Sequence, residues 1–302
     1  MKNKSSIYAD ISLLIVALIW GSGFVVTKNT LNHITPFYLL VFRFMISFIL
    51  MAMVFFKQFK QATFKDWKAG FLIGFFLFGG FATQTVGLNY TTAGKQAFIT
   101  GSNVVMVPFI YWAISKKRPD IYETIAVFLC FTGIGILSLE GDIYNLRFGY
   151  GEFLTFICAI LYAFHIATIG YYAKKHDPII LSIIQILVAG IFSIIFALLF
   201  EPKPVDMAEE AIISILYLAV FSTLIAFSVQ NVAQKYTSST HTAIILSMEA
   251  VFGGIMSLIF LKEPFTIKFA IGCLAILISI LTTETKWKFL RRKTNEDLDL
   301  PG

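Results

Sequence analysis

FATQTVGLNYTTA, residues 81–93, is echoed 146 positions later by FSVQNVAQKYTSS, residues 227–239. Phe81, Gln84, Val86, Tyr90 and Thr91 match Phe227, Gln230, Val232, Tyr236 and Thr237. In both copies a glutamine stands inside an apolar stretch. A polar side chain is costly in apolar surroundings unless it is partnered or wet, so a matched pair asks for a matched cause.

The echo extends in both directions. ALIWGSGFV (17–25) aligns with AILYAFHIA (159–167) at a shift of 142, which pairs Trp20 with Tyr162. At the same shift TPFYLLVFRF (35–44) meets DPIILSIIQI (177–186), with Pro36 on Pro178 and Arg43 on Gln185. After the quoted phrase, at 146, Asn103 meets Glu249 and Pro108 meets Gly254. The four extra residues belong in or near EPKPVDMAEE (201–210), a Pro-rich acidic loop of the kind that tolerates insertion. Apolar composition alone would not bring Gln, Tyr and Pro into register.

The chain of 302 residues is 57% hydrophobic and only 14% charged. Soluble domains carry about a quarter charged residues, so this composition points to a membrane protein. Apolar runs of about 20 residues, enough to cross a bilayer as helices, recur at 8–28, 36–56, 68–89, 95–115, 122–139, 150–172, 178–200, 211–233, 240–261 and 267–285. The expected fold is an all-α membrane protein of ten transmembrane helices, arranged as two five-helix repeats over 8–140 and 149–285, with a polar tail at 286–302. Five is odd, so the second copy enters the membrane from the opposite face. Such inverted repeats recur among secondary transporters.

The N-terminal span lacks a small-residue cleavage site and reads as a retained helix. If both termini are cytoplasmic, seventeen of the 24 Lys and Arg fall on the inner side and six on the outer. The positive-inside rule therefore sets that orientation. This bias accounts for the net charge of +6, and no nucleic-acid partner is needed to explain it. Cys130, Cys158 and Cys273 lie inside spans without metal-ligand or redox spacing, so no metal site or cofactor is expected.

Interior polar residues should face the bundle axis. Gln84 and Gln230 then occupy symmetry-related positions, either lining a shared cavity or bonding between helices. Glu249, in ILSMEAVFGG, is the one carboxylate near the centre of a span. It reads as a counter-charge for a cationic solute, a proton carrier, or the partner of Arg43 or of a nearby helix break. Arg43 reads as a structural charge paired with carbonyls or a carboxylate. His165 is a packing or cavity residue. Pro108, Gly253 and Gly254 are expected at helix breaks around a cavity; for the glycines, close helix packing is the alternative.

The stretches ALIWGSGFVVTK, TPFYLLVFRF, ITGSNVVMVPFIYWAISKKRP and QNVAQKYTSSTHTAIILSMEAVFGGIMSLIFLKEPFT resemble the EamA-type branch of the drug/metabolite transporter superfamily. The resemblance covers all ten spans and implies a central cavity between the two repeats. It places Trp20, Ser22, Gln84, Asn103, Tyr162, His165, Gln230 and Glu249 on that cavity, with Glu249 the candidate for proton coupling. Relatives export amino acids and other metabolites, or move sugars and nucleotide-sugars. Glu263, in LKEPFT, matches a recurrent acidic residue and reads as a loop contact.

The expected function is alternating-access, secondary-active transport of a small polar or amphipathic metabolite, with export of amino acids or related compounds foremost. The partners are the solute, the lipid bilayer and a proton, with no obligate protein partner, in a bacterial cell membrane. The sequence has no G-x-x-x-x-G-K-[ST] phosphate loop; Gly94–Lys95 is followed by Gln96. A membrane-embedded enzyme is the rival from another class. It would need convergent catalytic groups, whereas His33, His165, His176 and His241 are scattered and neither HExxH nor GxSxG occurs. A passive channel is the third option.

Overall fold

A computed structural model describes residues 4–91, 96, 99–138, 149–204, 208–260 and 267–286, and among these every regular element is a helix. In order the helices are α1 (Lys4–Thr30), α2 (Pro36–Val54), the single turn α3 (Phe56–Phe59), α4 (Phe64–Gly87), α5 (Asn103–Ser115), α6 (Ile121–Ser138), α7 (Tyr150–Tyr172), α8 (Pro178–Phe200) and α9 (Glu209–Ala219). A π-helical segment, Val220–Ile225, joins α9 to α10 (Ala226–Gln234). The chain continues through α11 (Ser239–Leu246), α12 (Met248–Phe260) and α13 (Ile267–Thr285). Six helical stretches are long and apolar enough to cross a membrane: Ser5–Thr30, Pro36–Val54, Phe64–Gly87, Tyr150–Tyr172, Pro178–Phe200 and Glu209–Gln234. Ile99–Ser115, Ile121–Ile136 and Ala270–Thr283 are shorter apolar helices. Glu263 and the tail beyond Lys286 lie outside the described residues.

Local chemistry sets the helix starts. Thr63 and Asp66 form a reciprocal capping box on α4. Asp177 accepts from the backbone of Ile179 and Ile180 ahead of Pro178 on α8. The start of α2 is capped from outside: Glu201, at the end of α8, accepts from Thr35 Oγ1 at 2.6 Å, Phe37 N at 2.9 Å and Tyr38 N at 3.0 Å. The outward surface carries Phe71, Phe75, Leu198, Phe200, Ile267 and Leu274, all exposed. A patch this apolar requires a nonaqueous cover, and every helical backbone meets the bilayer's demand for internally satisfied hydrogen bonds. This is a helical membrane protein with several spans.

The polar contacts sort into two ends. At the near end, where α1 begins, Asp10 Oδ1 lies 3.2 Å from His241 Nε2, His241 Nδ1 lies 2.8 Å from Thr283 Oγ1, and Lys286 binds Asp120. His176 Nδ1 and Asp66 Oδ1 are 2.6 Å apart at the same end. At the far end, Thr91 donates to Glu152 at 2.8 Å and Lys28 donates to the carbonyl of Leu88 at 2.7 Å.

The expected helix breaks are displaced. α5 runs on through Pro108, and α12 runs on through Gly253 and Gly254. The interruptions are turns at Ser102 and Ser247, which match in the 146-residue sequence register to within one residue. A proline ring clashes with the carbonyl one turn before it, so Pro108 disturbs the helix on the N-terminal side. Ser102 and Ser247 donate to the carbonyls of Ile99 and Ala243 at 2.6 and 2.9 Å, a back-bonding habit that bends helices. The glycine serves packing instead. A Cβ on Gly253 would meet the carbonyl of Gly21 at 3.4 Å, and one on Gly21 would meet the carbonyl of Glu249 at 2.8 Å.

Candidate functional site

A cavity of about 90 Å³ lies where α1, α2, α4, α5, α7, the π segment and α10–α12 meet. It is lined by Trp20, Gln84, Asn103, Tyr162, His165, Gln230 and Glu249, all expected there from sequence, while Ser22 is not on its wall. Ser22 Oγ instead donates to the carbonyl of Ile19 at 2.7 Å and contacts the Tyr217 hydroxyl.

Four aromatic rings build one face. Trp20 and Phe227 lie 5.2 Å apart between centroids, Phe81 and Phe227 5.9 Å, and Phe81 and Tyr162 5.6 Å edge to face. Offset and edge geometries of this kind favour packing beyond simple burial. Phe81 and Phe227 are the first residues of the two echoed phrases, so the signal for them was already in the register. Sequence reasoning passed over them because phenylalanine is common in an apolar span.

The π segment was also missed, and it organises the polar wall. Wide winding releases backbone carbonyls from helical pairing, and such bulges often occur at functional sites. The carbonyl of Ser222 accepts from Trp20 Nε1 at 3.0 Å and from Arg43 Nη2 at 3.2 Å. Arg43 also donates through Nη2 to Ser222 Oγ at 3.0 Å and through Nε to Thr223 Oγ1 at 2.6 Å. Its guanidinium carbon sits 4.4 Å from the centroid of Phe81, within cation–π range. These bonds occupy Nε and Nη2, among the described residues no hydrogen bond engages Nη1, and Arg43 is one of the residues lining the cavity.

Glu249 stands in the first turn of α12, just past the turn at Ser247, where the helix N-terminus favours negative charge. Among the described residues its carboxylate makes neither hydrogen bond nor ion pair, so the ion pair with Arg43 weighed from sequence is not formed. Its repeat mate Asn103 opens α5 in the same way.

The amides differ in their bonding. Gln84 Oε1 accepts from the Tyr162 hydroxyl at 2.9 Å, and its carbonyl accepts from Gln96 Nε2 at 2.7 Å. Gln230 Nε2 donates to Gln234 Oε1 at 3.2 Å, while Gln230 Oε1 and Gln96 Oε1 are buried with no hydrogen bond among the described residues. His165 Nε2 lies 2.9 Å from Oε1 of Gln185, the repeat mate of Arg43, and its ring meets Phe227 edge-on. Among the described residues no three His, Cys, Asp or Glu converge as metal ligands.

A family model described as the EamA-like transporter family matches the chain twice, at residues 7–139 and 149–285. An uncharacterized transporter of Archaeoglobus fulgidus is 36% identical over 275 residues, covering 91% of this chain and 85% of that protein. The uncharacterized transporter YvbV of Bacillus subtilis is 24% identical, covering 95% of each. A crystal structure 14% identical in sequence superposes with a TM-score of 0.75 over 91% of this chain and 96% of its own, a likeness of fold alone.

Proposed function

The chain belongs to the EamA-like transporter family, and on that premise we propose that it exports a small zwitterionic metabolite of the amino-acid kind by secondary-active, alternating-access transport. The observation that carries this reading is a pair of charges. Among the described residues one guanidinium nitrogen of Arg43 and the carboxylate of Glu249 are unbonded, and both residues line one aromatic-walled cavity. A solute with its own carboxylate and ammonium would satisfy both, and leaving either buried charge unpaired is costly. Trp20, Phe81, Tyr162 and Phe227 would hold an apolar or aromatic side chain.

The same reading takes the chain as ten spans in two inverted repeats, with α5 and its preceding turn, α6, α11–α12 and α13 joining the six long helices. The double family match and the near-symmetric turns at Ser102 and Ser247 support it. Both termini are then cytoplasmic, in the cell membrane, and the two halves rock about the cavity. Glu249 is the proton carrier if transport is coupled.

The test begins with a thermal-shift screen of amino acids, amines and nucleosides on detergent-solubilised protein, because a ligand stabilises by mass action. Counterflow in proteoliposomes follows with the solute that stabilises most. Zwitterionic amino acids should outrank amines and simple carboxylates, and stabilisation by nucleosides alone would overturn the reading. Glu249→Gln should remove the pH dependence of transport while leaving the protein folded; an unchanged pH dependence would remove the proton role.

A further inference from the structure

Three adjoining clefts open at the near end. The first, of about 560 Å³, lies between the start of α4, the turn from α7 to α8 and the end of α10, and Lys65, Lys174, Lys175 and Lys235 line it. The second, of about 370 Å³, shares Lys174 and Lys235 with the first and adds Tyr236, Ser238 and Lys286. The third, of about 440 Å³, shares Tyr236 with the second and runs between α1 and α10 over Tyr8, Ala9, Val229, Val232 and Ala233. A basic basin thus continues into an apolar groove.

The carboxylates around the basin are already engaged. Asp66 accepts from the nitrogen and hydroxyl of Thr63 and meets His176. Asp177 accepts from the backbone of Ile179 and Ile180, and Glu123 from Asp120 N and Ser238 Oγ. Lys286 pairs with Asp120. Among the described residues Lys65, Lys174, Lys175 and Lys235 have no carboxylate partner, and all four are exposed. Lys175 Nζ sits 3.6 Å from the centroid of the Tyr171 ring, a contact that holds an ammonium without cancelling its charge. The positive-inside bias asks for lysines at this end, but not for four unpaired ones around concave clefts.

We propose that the basin and the groove are one site for an anionic glycerophospholipid of the near-end leaflet, with its phosphodiester on Lys174 and Lys235 and an acyl chain between α1 and α10. Basic pockets between membrane helices bind anionic headgroups in this way. Two features favour a lipid over a free anion. The basin leads directly into apolar walls, for which a phosphate ion has no use. Tyr236 at the join and Tyr8 on the α1 wall are 49% and 68% exposed, and half-exposed tyrosines settle at headgroup depth. The site requires the chain to span a membrane and does not depend on which solute is carried.

Native mass spectrometry of the full chain in detergent, titrated with phosphatidylglycerol or phosphatidylcholine, tests this. Wild type should bind phosphatidylglycerol about tenfold more tightly. Combining Lys174→Gln with Lys235→Gln should bring the two lipids to within about twofold. Lys57→Gln with Lys60→Gln, an equal loss of exposed charge outside these clefts, should leave the preference intact. Equal losses in both double variants would mean a diffuse basic surface and overturn the site. If the first double variant does not fold, Lys65→Gln with Lys235→Gln replaces it, with the same expectation. Val232→Trp, which fills the groove, should weaken phosphatidylglycerol several-fold; unchanged affinity would overturn the acyl-chain half. Glycerophosphoglycerol and inorganic phosphate should bind far more weakly than the lipid, and either one binding as tightly would make the occupant a soluble phosphate and overturn the proposal.

Discussion

Helix α4 and the segment from α9 through α10 carry the same closing phrase, yet they are wound differently. α4 is unbroken and meets α8 through glycine: a Cβ on Gly74 would strike the carbonyl of Gln185 at 2.7 Å and Val188 Cβ at 2.7 Å. Its counterpart winds wide over Val220–Ile225, and there Arg43, the mate of Gln185, takes up the carbonyl of Ser222 and the hydroxyl of Thr223. The positions matching Ser222 and Thr223 in α4 are Phe76 and Leu77, which offer no side-chain oxygen. One copy uses the crossing for close packing. The other uses it to seat a charged side chain at the cavity. A repeated phrase can thus sit in two differently wound helices, while a few substitutions place the polar chemistry on one of them.

The largest effect that would break this contrast is at Gly74. Gly74→Leu must push α4 from α8, and overpacking against backbone should cost about 3 kcal/mol, visible as a large fall in the melting temperature in detergent. The matched residue Val220 already carries a side chain, and Val220→Ala should lower stability by only about 1 kcal/mol. Equal losses at the two sites would remove the distinction.

Next comes Arg43. Arg43→Met should weaken solute binding by about tenfold to a hundredfold, the range for a charged hydrogen bond. Arg43→Lys should not restore it, because an ammonium cannot reproduce the planar fork that spans Ser222 and Thr223. Thr223→Val removes one acceptor and should cost about 1 kcal/mol of stability, with a smaller loss of binding.

The smallest effect is at the near-end surface. Burial alone would raise the Asp120 carboxyl, but the hydrogen bond and charge of Lys286 outweigh it and hold Asp120 below its ordinary value. A lowered carboxylate pKa adds stability above the ordinary value of about 3.9, and this is lost as pH falls. Both side chains are more than a third exposed, so Lys286→Ala should cost less than about 1 kcal/mol, with the difference from wild type fading in acid.

Much of this was legible in the sequence. The echo at 81–93 and 227–239 pointed to residues that line the cavity, Gln84 and Gln230 among them, because a buried glutamine is costly enough to be informative. Trp20 and Tyr162 followed from the same register. Ser22 misled, since a serine in a span can satisfy itself on the preceding turn, as it does on the Ile19 carbonyl. Pro108 named the correct helix but not the site of its turn, because a proline acts on the turn before it. The π segment left no trace in periodicity, since one widened turn in an apolar run changes no composition. Arg43 read as a structural charge paired with carbonyls or a carboxylate; its bonds to Ser222 and Thr223 anchor it, and the residue also lines the cavity.

The most direct test of the central claim is counterflow into proteoliposomes preloaded with the amino acid that best stabilises the protein, measured for wild type and Arg43→Met. The account predicts saturable counterflow in the wild type and near-background uptake in the variant, which remains folded. Non-saturating uptake, or equal counterflow in both proteins, would contradict it.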